Sequence, residues 1–180
     1  MAEPVVPAVR SANLGPRSAE LGVDMRPQRL PQDHEFLAQL YASTRRDELA
    51  PVPWPEEQKE EFLRQQFEAQ LSHYLEHFGD AEMSVLEVRG VEVGRIYRQY
   101  RDDEVRLVDI ALVPESRGRG LGEALLRDLC DDAEARSLPL RIHVEKQNPA
   151  LRLYQRLAFL PIEDQGVYWL MEWRPSGAAS

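Results

Sequence analysis

The stretch from Val105 to Glu145 constrains the fold of this chain more than any other part. Residues 105–113 are almost all apolar, which is typical of a strand buried on both faces at the centre of a sheet. Three glycines follow, and then apolar residues recur with helical spacing from Leu125 onward. Residues 139–145 alternate again like a strand. A strand, a glycine loop, a helix and a further strand predict a crossover that joins two parallel neighbours in one sheet.

The remaining patterns place this crossover in a single α/β domain of about seven strands and four helices. The other strands are expected near 23–26, 83–88, 91–96, 159–162 and 167–173, and the other helices near 32–45, 56–79 and 149–157. Pro27 confines the first strand to a sheet edge. We expect the domain to span 23–174, between a flexible lead-in of residues 1–22 and a flexible tail of residues 175–180.

Composition excludes several classes of protein. The chain has 180 residues and a formal net charge of −9, from 22 basic and 31 acidic side chains, which disfavours non-specific binding to nucleic acid. A single cysteine, Cys130, cannot form an intramolecular disulfide. No apolar stretch approaches the ~20 residues of a membrane-spanning helix. We therefore expect a cytoplasmic protein that binds neither membrane nor nucleic acid.

The glycine loop is the strongest candidate for a binding site. Glycines between a strand and a helix let several backbone amides approach one point, and the helix dipole favours an anion there. The spacing does not fit a dinucleotide-binding loop, because Glu123 stands where the third glycine would be. It does not fit a Walker loop either, since no Gly-Lys-Ser/Thr triplet occurs.

Two motifs together resemble the GNAT N-acyltransferase superfamily. Arg117-x-x-Gly120-x-Gly122 is similar to the pyrophosphate loop R/Q-x-x-G-x-G/A of that family, and the segment from Asn148 to Phe159 is similar to N-x-A-x-x-L-Y-x-x-x-G-F. Ala158 departs from the family glycine. The resemblance covers about residues 105–172. It implies a mixed, splayed seven-stranded sheet flanked by about four helices, of the class α/β (α+β).

The resemblance also implies acetyl-CoA as co-substrate, a primary amine as acceptor, and no metal. In the family the loop amides hold the pyrophosphate, the pantetheine arm lies along the fourth strand, and an amide near Leu112 donates to the thioester oxygen. The cofactor-binding residues implied here are Ile110, Ala111, Leu112, Val113, Arg117, Gly118, Arg119, Gly120, Leu121, Gly122, Asn148 and Tyr154.

Two residues are the candidates for moving protons. Tyr154 stands at the tyrosine of the second motif, so the resemblance implies that it protonates the departing thiolate. His143 is the candidate base, because alternation along its strand places it on one polar face with Arg141 and Glu145. Asp109 and Glu145 are the reserve candidates, and Asp109 is equally suited to anchor an arginine.

Several alternatives stay open. Trp54, Tyr74, Tyr97 and Tyr100 are candidates for an acceptor wall. His73-Tyr-Leu-Glu76-His77 fits a short zinc-peptidase pattern, although it also fits a packed helix turn. The chain could also be a non-catalytic acyl-CoA sensor, and an exposed edge near the closing hairpin would suit a homodimer.

Overall fold

The computed structural model describes residues 12–177, and these form one mixed sheet of seven strands with helices on both faces. The strands are β1 (Val23–Pro27), β2 (Glu82–Val88), β3 (Val91–Tyr100), β4 (Val105–Leu112), β5 (Leu140–Glu145), β6 (Leu160–Gln165) and β7 (Tyr168–Trp173). The helices are α1 (Pro16–Glu20), α2 (His34–Leu49), α3 (Glu56–His77), α4 (Leu121–Arg136) and α5 (Leu151–Arg156). The seven predicted strands are confirmed, and α1 is a fifth helix that the sequence did not predict.

The sheet is open at its centre. Its order is β1-β2-β3-β4-β5-β7-β6, with every neighbouring pair antiparallel except β4 and β5. Helix α4 makes the predicted crossover between these two parallel strands. They pair over only three positions, beginning at Val105 and ending at Leu107 on β4, and then diverge. The diverging strand ends leave a V-shaped gap.

The gap corrects the expectation that β4 is buried on both faces along its whole length. Val105 and Leu107 are fully buried, whereas residues 108–112 are only half-buried. Asp109 pairs with Tyr97 and Leu107 with Arg98, so Val108 forms a β-bulge where the strands separate. The apolar residues 105–113 therefore belong to a strand that pairs with β5 only in its first half, and not to a strand buried on both faces throughout.

Alternating residues of β3 and β4 face two different helical layers. Ile96 and Leu107 face α4 and belong to the main hydrophobic core, which Tyr154 of α5 also joins. The opposite face carries α2 and α3, which pack on each other around Phe67. The predicted apolar face of α3 is buried in the middle of the helix, but Leu75 is 49% exposed and lines a cavity of about 610 Å³ beside the ends of β1 and β2.

Residues 12–22 differ from the expected flexible lead-in, while residues 1–11 and 178–180 lie outside the described residues. Ala12 forms a bridge to Met25, and α1 packs on α4. The buried carboxylate of Asp128 accepts hydrogen bonds from the Ser18 amide (2.8 Å) and the Ser18 hydroxyl (2.7 Å). These bonds hold the segment in place, and apolar periodicity gives no sign of them.

The structure shifts the boundaries of the last elements. Asn148 Oδ1 accepts from the Ala150 amide (2.9 Å) and holds a turn, so α5 begins at Leu151 rather than at Pro149. After α5 the chain turns at Ala158, whose φ of +68° is the left-handed conformation that explains the family's preference for glycine there. Strand β6 extends further toward its turn than predicted, to Gln165, whereas β7 begins at Tyr168, one residue later than predicted. Strand β6 is the sheet edge, where the homodimer stays a prediction.

Candidate active site

The glycine loop presents a row of unpaired amides at the start of α4. In the described residues, the amides of residues 118–123 have no acceptor within hydrogen-bonding distance, while Arg117 N donates to Pro114 O (3.2 Å). Gly118 and Gly120 hold positive φ angles of 71° and 82°, a conformation that side chains disfavour. Because α4 is 16 residues long, its dipole adds positive potential at this point. The loop can therefore accept a pyrophosphate.

The Arg117 side chain does not point at this row of amides. Its Nε donates to Leu112 O (2.9 Å), and its Nη2 donates to Ser43 Oγ on α2 (3.1 Å). These bonds tie α2 to the end of β4 and so position one wall of the gap. A sequence pattern could not identify Ser43 as a partner, because it lies 74 residues away.

The edge of β4 that faces the gap carries main-chain amides that no neighbouring strand pairs, while Leu112 O accepts from Arg117 Nε. Val113 N donates to Val93 O on β3 (2.8 Å). Main-chain groups alternate sides along a strand. The amides of Leu112 and Ile110 therefore point away from β3, toward the gap that opens where β5 diverges from β4. Such an edge can pair with an extended amide-containing arm and can donate to a thioester oxygen.

Tyr154 lies on α5, where it is 3% exposed and its ring centroid lies 5.5 Å from that of Phe159. Burial, and then the nearby charge of Asp109, raise the pKa of its hydroxyl well above the ordinary value. The hydroxyl therefore carries its proton at neutral pH, as a general acid requires.

His143 is exposed on β5, on the polar face that the alternation predicts. Burial, and then the neighbouring Arg106, lower the pKa of His143 below its ordinary value, so the ring is neutral at neutral pH. Arg106 Nη1 approaches His143 Nδ1 at 3.0 Å and donates to it. The neutral ring then carries its hydrogen on Nε2 and can take a second proton only at Nδ1, once Arg106 turns away.

Both reserve candidates for the base are paired with arginines. Asp109 Oδ2 accepts from Arg95 Nε (2.6 Å), as the arginine-anchor alternative predicts. Glu145 Oε1 accepts from Arg45 Nη2 on α2 (2.8 Å). The hydrogen bond that Arg45 donates to Glu145 raises the pKa of Arg45 above its usual range, although burial acts in the opposite direction. Together with Arg117 and Ser43, this pair attaches α2 to the ends of both diverging strands.

The four aromatic candidates for the acceptor wall separate into different environments. Tyr74 on α3 packs edge-on against Tyr97 at 5.5 Å, on the face that carries α2 and α3. Tyr97 itself is fully buried, and Trp54 packs on Phe62. Tyr100 lies on the opposite face, where its hydroxyl donates to Asp132 of α4 (2.8 Å), so it does not belong to this wall.

The histidine pair of α3 is a local packing feature. The rings of His73 and His77 stack with centroids 4.4 Å apart, and His77 Nδ1 contacts the carbonyl oxygen of His73. Within residues 12–177, no three histidine, cysteine or acidic side chains are grouped as metal ligands would be. In the same range, no helix is both long enough and apolar enough to cross a bilayer.

Comparisons with known proteins agree with this arrangement. Residues 50–168 match the family described as acetyltransferase (GNAT) domain. A protein of Bacillus subtilis (strain 168), named for the alanine N-acetylation of ribosomal protein bS18, is 32% identical over 112 residues. That match spans 61% of this chain and 66% of the relative, just under two thirds of its length.

Two solved structures share the fold. The PaiA N-acetyltransferase of Thermoplasma acidophilum, in complex with coenzyme A, superposes with a TM-score of 0.63 at 18% identity, over 84% of this chain and 98% of its own. The ribosomal-protein-S18-alanine N-acetyltransferase of Escherichia coli gives a TM-score of 0.56 at 21% identity, over 87% and 96%.

Proposed function

The chain belongs to the GNAT acetyltransferase family, and from this premise we propose that it transfers an acetyl group from acetyl-CoA directly to a primary amine in a ternary complex. The row of unpaired amides at residues 118–123, beside the free edge of β4, carries this proposal. When bound, acetyl-CoA supplies the activated acetyl thioester. The acceptor is a primary amine of a small molecule, a peptide or a protein, and the name of the Bacillus subtilis relative supports a protein amine.

The loop and β4 bind and orient the co-substrate. The amides of Gly118 to Gly122 donate to the pyrophosphate, and the edge of Ile110 to Val113 pairs with the pantetheine arm. The amide of Leu112 then stabilises the negative charge that develops on the thioester oxygen. Asn148 contributes indirectly, since it holds the turn from which α5 and Tyr154 start.

Tyr154 and His143 move the protons in this proposal. Tyr154 protonates the departing thiolate, because burial raises the pKa of its hydroxyl and keeps it neutral. His143 receives the proton of the acceptor ammonium through water, with Arg106 releasing Nδ1 as the ring becomes charged.

Two measurements test the proposed function. Calorimetry should show binding of coenzyme A, and release of free thiol from acetyl-CoA should depend on an added amine. We expect Tyr154→Phe to lower kcat by about tenfold or more with coenzyme A affinity unchanged. Binding without turnover for any amine would instead identify the acyl-CoA sensor, and an absence of binding at millimolar coenzyme A would refute both functions.

A further inference from the structure

Helix α2 connects the two strand ends that border the gap. Strands β4 and β5 are parallel, so their carboxyl ends, Leu112 and Glu145, lie at the same end of the sheet. Ser43 and Arg45 of α2 are joined to these two ends by side-chain hydrogen bonds. Because the two residues are separated by a rise of about 3 Å along the helix, one short stretch of α2 serves both sides of the gap.

The contact with β4 runs through a single guanidinium. Arg117 Nε donates to the carbonyl oxygen of Leu112 at 2.9 Å, and Arg117 Nη2 donates to Ser43 Oγ at 3.1 Å. The Ser43 hydroxyl in turn donates to Leu40 O inside α2 at 2.7 Å. In a strand, the amide and the carbonyl of one residue point to the same side. Arg117 therefore holds the edge position of Leu112, whose amide is the proposed donor to the thioester oxygen.

The contact with β5 is an ion pair between Arg45 and Glu145. Arg45 Nη2 donates to Glu145 Oε1 at 2.8 Å, and Nη1 donates to Oε2 at 3.3 Å, so both carboxylate oxygens are engaged. The two side chains are 30% and 27% exposed, and solvent screens the pair only in part. Arg45 Nη1 also pairs with Glu48, three residues further along α2, at 3.0 Å. The guanidinium therefore fixes α2 relative to the end of β5.

We propose that these two contacts form a clamp, in which Arg117 and Arg45 are positioning residues that fix the Leu112 amide relative to β5. Strands β4 and β5 pair over only three positions at the other end of the gap, so their pairing does not set the separation at Leu112. A displacement of about 1 Å at a reacting centre can lower a rate by about 100-fold. The inference rests on the proposed function and concerns its chemical step.

This role differs from the one that the sequence resemblance implies for Arg117. A guanidinium that binds the pyrophosphate contributes to the affinity for coenzyme A. A guanidinium that positions Leu112 contributes instead to kcat, because the loop amides that should hold the pyrophosphate make no contact with the clamp among the described residues. The two roles therefore separate in the measured constants.

The experiment measures two constants for each variant. Calorimetry gives the Kd of coenzyme A, and thiol release from saturating acetyl-CoA gives kcat, with an alanyl hexapeptide, L-lysine and butane-1,4-diamine as the amines. We expect Arg45→Met and Arg117→Met each to lower kcat by about tenfold or more and to leave Kd within about threefold. Arg117→Lys, which keeps the charge but not the planar fork, should show the same loss if Arg117→Met fails to fold.

The chain offers a matched control for each side of the clamp. Ser43→Ala should lower kcat, whereas Thr44→Ala should not, although the Thr44 hydroxyl makes the same kind of bond inside α2, to Tyr41 O at 2.7 Å. Arg46→Met is the control for Arg45→Met, because Arg46 bonds only to Gln39 of α2 among the described residues. Both controls should keep kcat within about threefold of the wild type.

Reversal of the ion pair distinguishes the clamp from a catalytic role of Glu145. Arg45→Glu and Glu145→Arg should each lower kcat, and the double variant should exceed either single variant by about fivefold or more, because it restores the contact. A double variant as slow as Glu145→Arg would overturn the inference, since a base at this position cannot be replaced by arginine.

Hydrogen exchange tests the clamp without turnover. In Arg45→Met and Arg117→Met, the amides of residues 43–49 should exchange about tenfold faster than in the wild type, and Arg46→Met should leave them unchanged. Unchanged exchange in both variants would overturn the inference, because the contacts would then not hold the helix.

The constants also separate this inference from the proposed function. A raised Kd with unchanged kcat in Arg117→Met would make Arg117 a ligand of the pyrophosphate, which overturns the clamp while the proposed function stands. A wild type that binds coenzyme A but acetylates none of the three amines would overturn the proposed function and the clamp together.

Discussion

Replacing the two glycines at the mouth of α4, one at a time, should have opposite effects on stability. Gly120 holds φ at +82°, whereas Gly122 lies inside the first turn of α4. A Cβ at Gly120 would meet no atom within 4 Å, so the penalty there comes from the backbone conformation alone. A Cβ at Gly122 would lie 3.8 Å from Leu112 Cδ1, which is an ordinary contact.

These geometries give the expected size of each effect. Gly120→Ala should cost about 1–2 kcal/mol, the penalty for an L residue in the left-handed region. Gly122→Ala should gain up to about 1 kcal/mol, because alanine is the better helix former. For a protein of this size, roughly 2–4 °C of melting temperature corresponds to each kcal/mol. Gly177→Ala is the control, since a Cβ there meets nothing within 4 Å and its φ is not in the left-handed region.

The same pair tests the proposed pyrophosphate site. A shift of the backbone at Gly120 turns the amides that should converge on the anion, so calorimetry should show coenzyme A binding weakened by about tenfold or more, the loss of one to two charge-assisted hydrogen bonds. Gly122→Ala should keep affinity within about threefold, because its backbone does not change. If Gly120→Ala bound coenzyme A as tightly as the wild type, the amides of the loop would not be the pyrophosphate site.

Four further predictions concern other parts of the chain. Gly94→Ala should destabilise by about 1–3 kcal/mol in urea unfolding, because its Cβ would fall on the Ala111 carbonyl oxygen and within 2.8 Å of Leu112 Cδ2; an unchanged midpoint would contradict the β3–β4 spacing. Burial raises the pKa of Cys130 to about 12, so Ellman's reagent at pH 8 should react with this thiol only after unfolding. Burial alone would raise the pKa of Asp128, but hydrogen bonds from Ser18 and Arg17 lower it below 3.8. Asp128→Ala should therefore lower the free energy of unfolding by about 1–3 kcal/mol at pH 7. This difference from the wild type should shrink as the pH falls below 3.8 and Asp128 becomes protonated. Burial and Arg106 lower the pKa of His143 below 6.5, so kcat/KM should rise with pH through a midpoint below 6.5. His143→Ala should remove this rise. A rise that persists in the variant would exclude His143 as the base.

The local chain patterns were sufficient for the architecture of the domain. A strand, three glycines and an apolar helical period predicted the β4–α4–β5 crossover, because backbone conformation and hydrophobic burial depend on residues adjacent in sequence. The same local information located the glycine loop before α4 and the helix that carries Tyr154, and the resemblance of these two motifs correctly indicated the family.

Contacts between distant segments decided the rest. The sequence shows that Arg95 and Asp109 are charged, but only the bulge at Val108 and the packing of α3 bring the two onto one face of the sheet. Likewise, α1 is ordered because Ser18 reaches a carboxylate 110 residues away. Hydrogen bonds and ion pairs of this kind depend on which faces of the helices and strands pack together in the folded domain. The periodicity of a single segment does not specify these contacts.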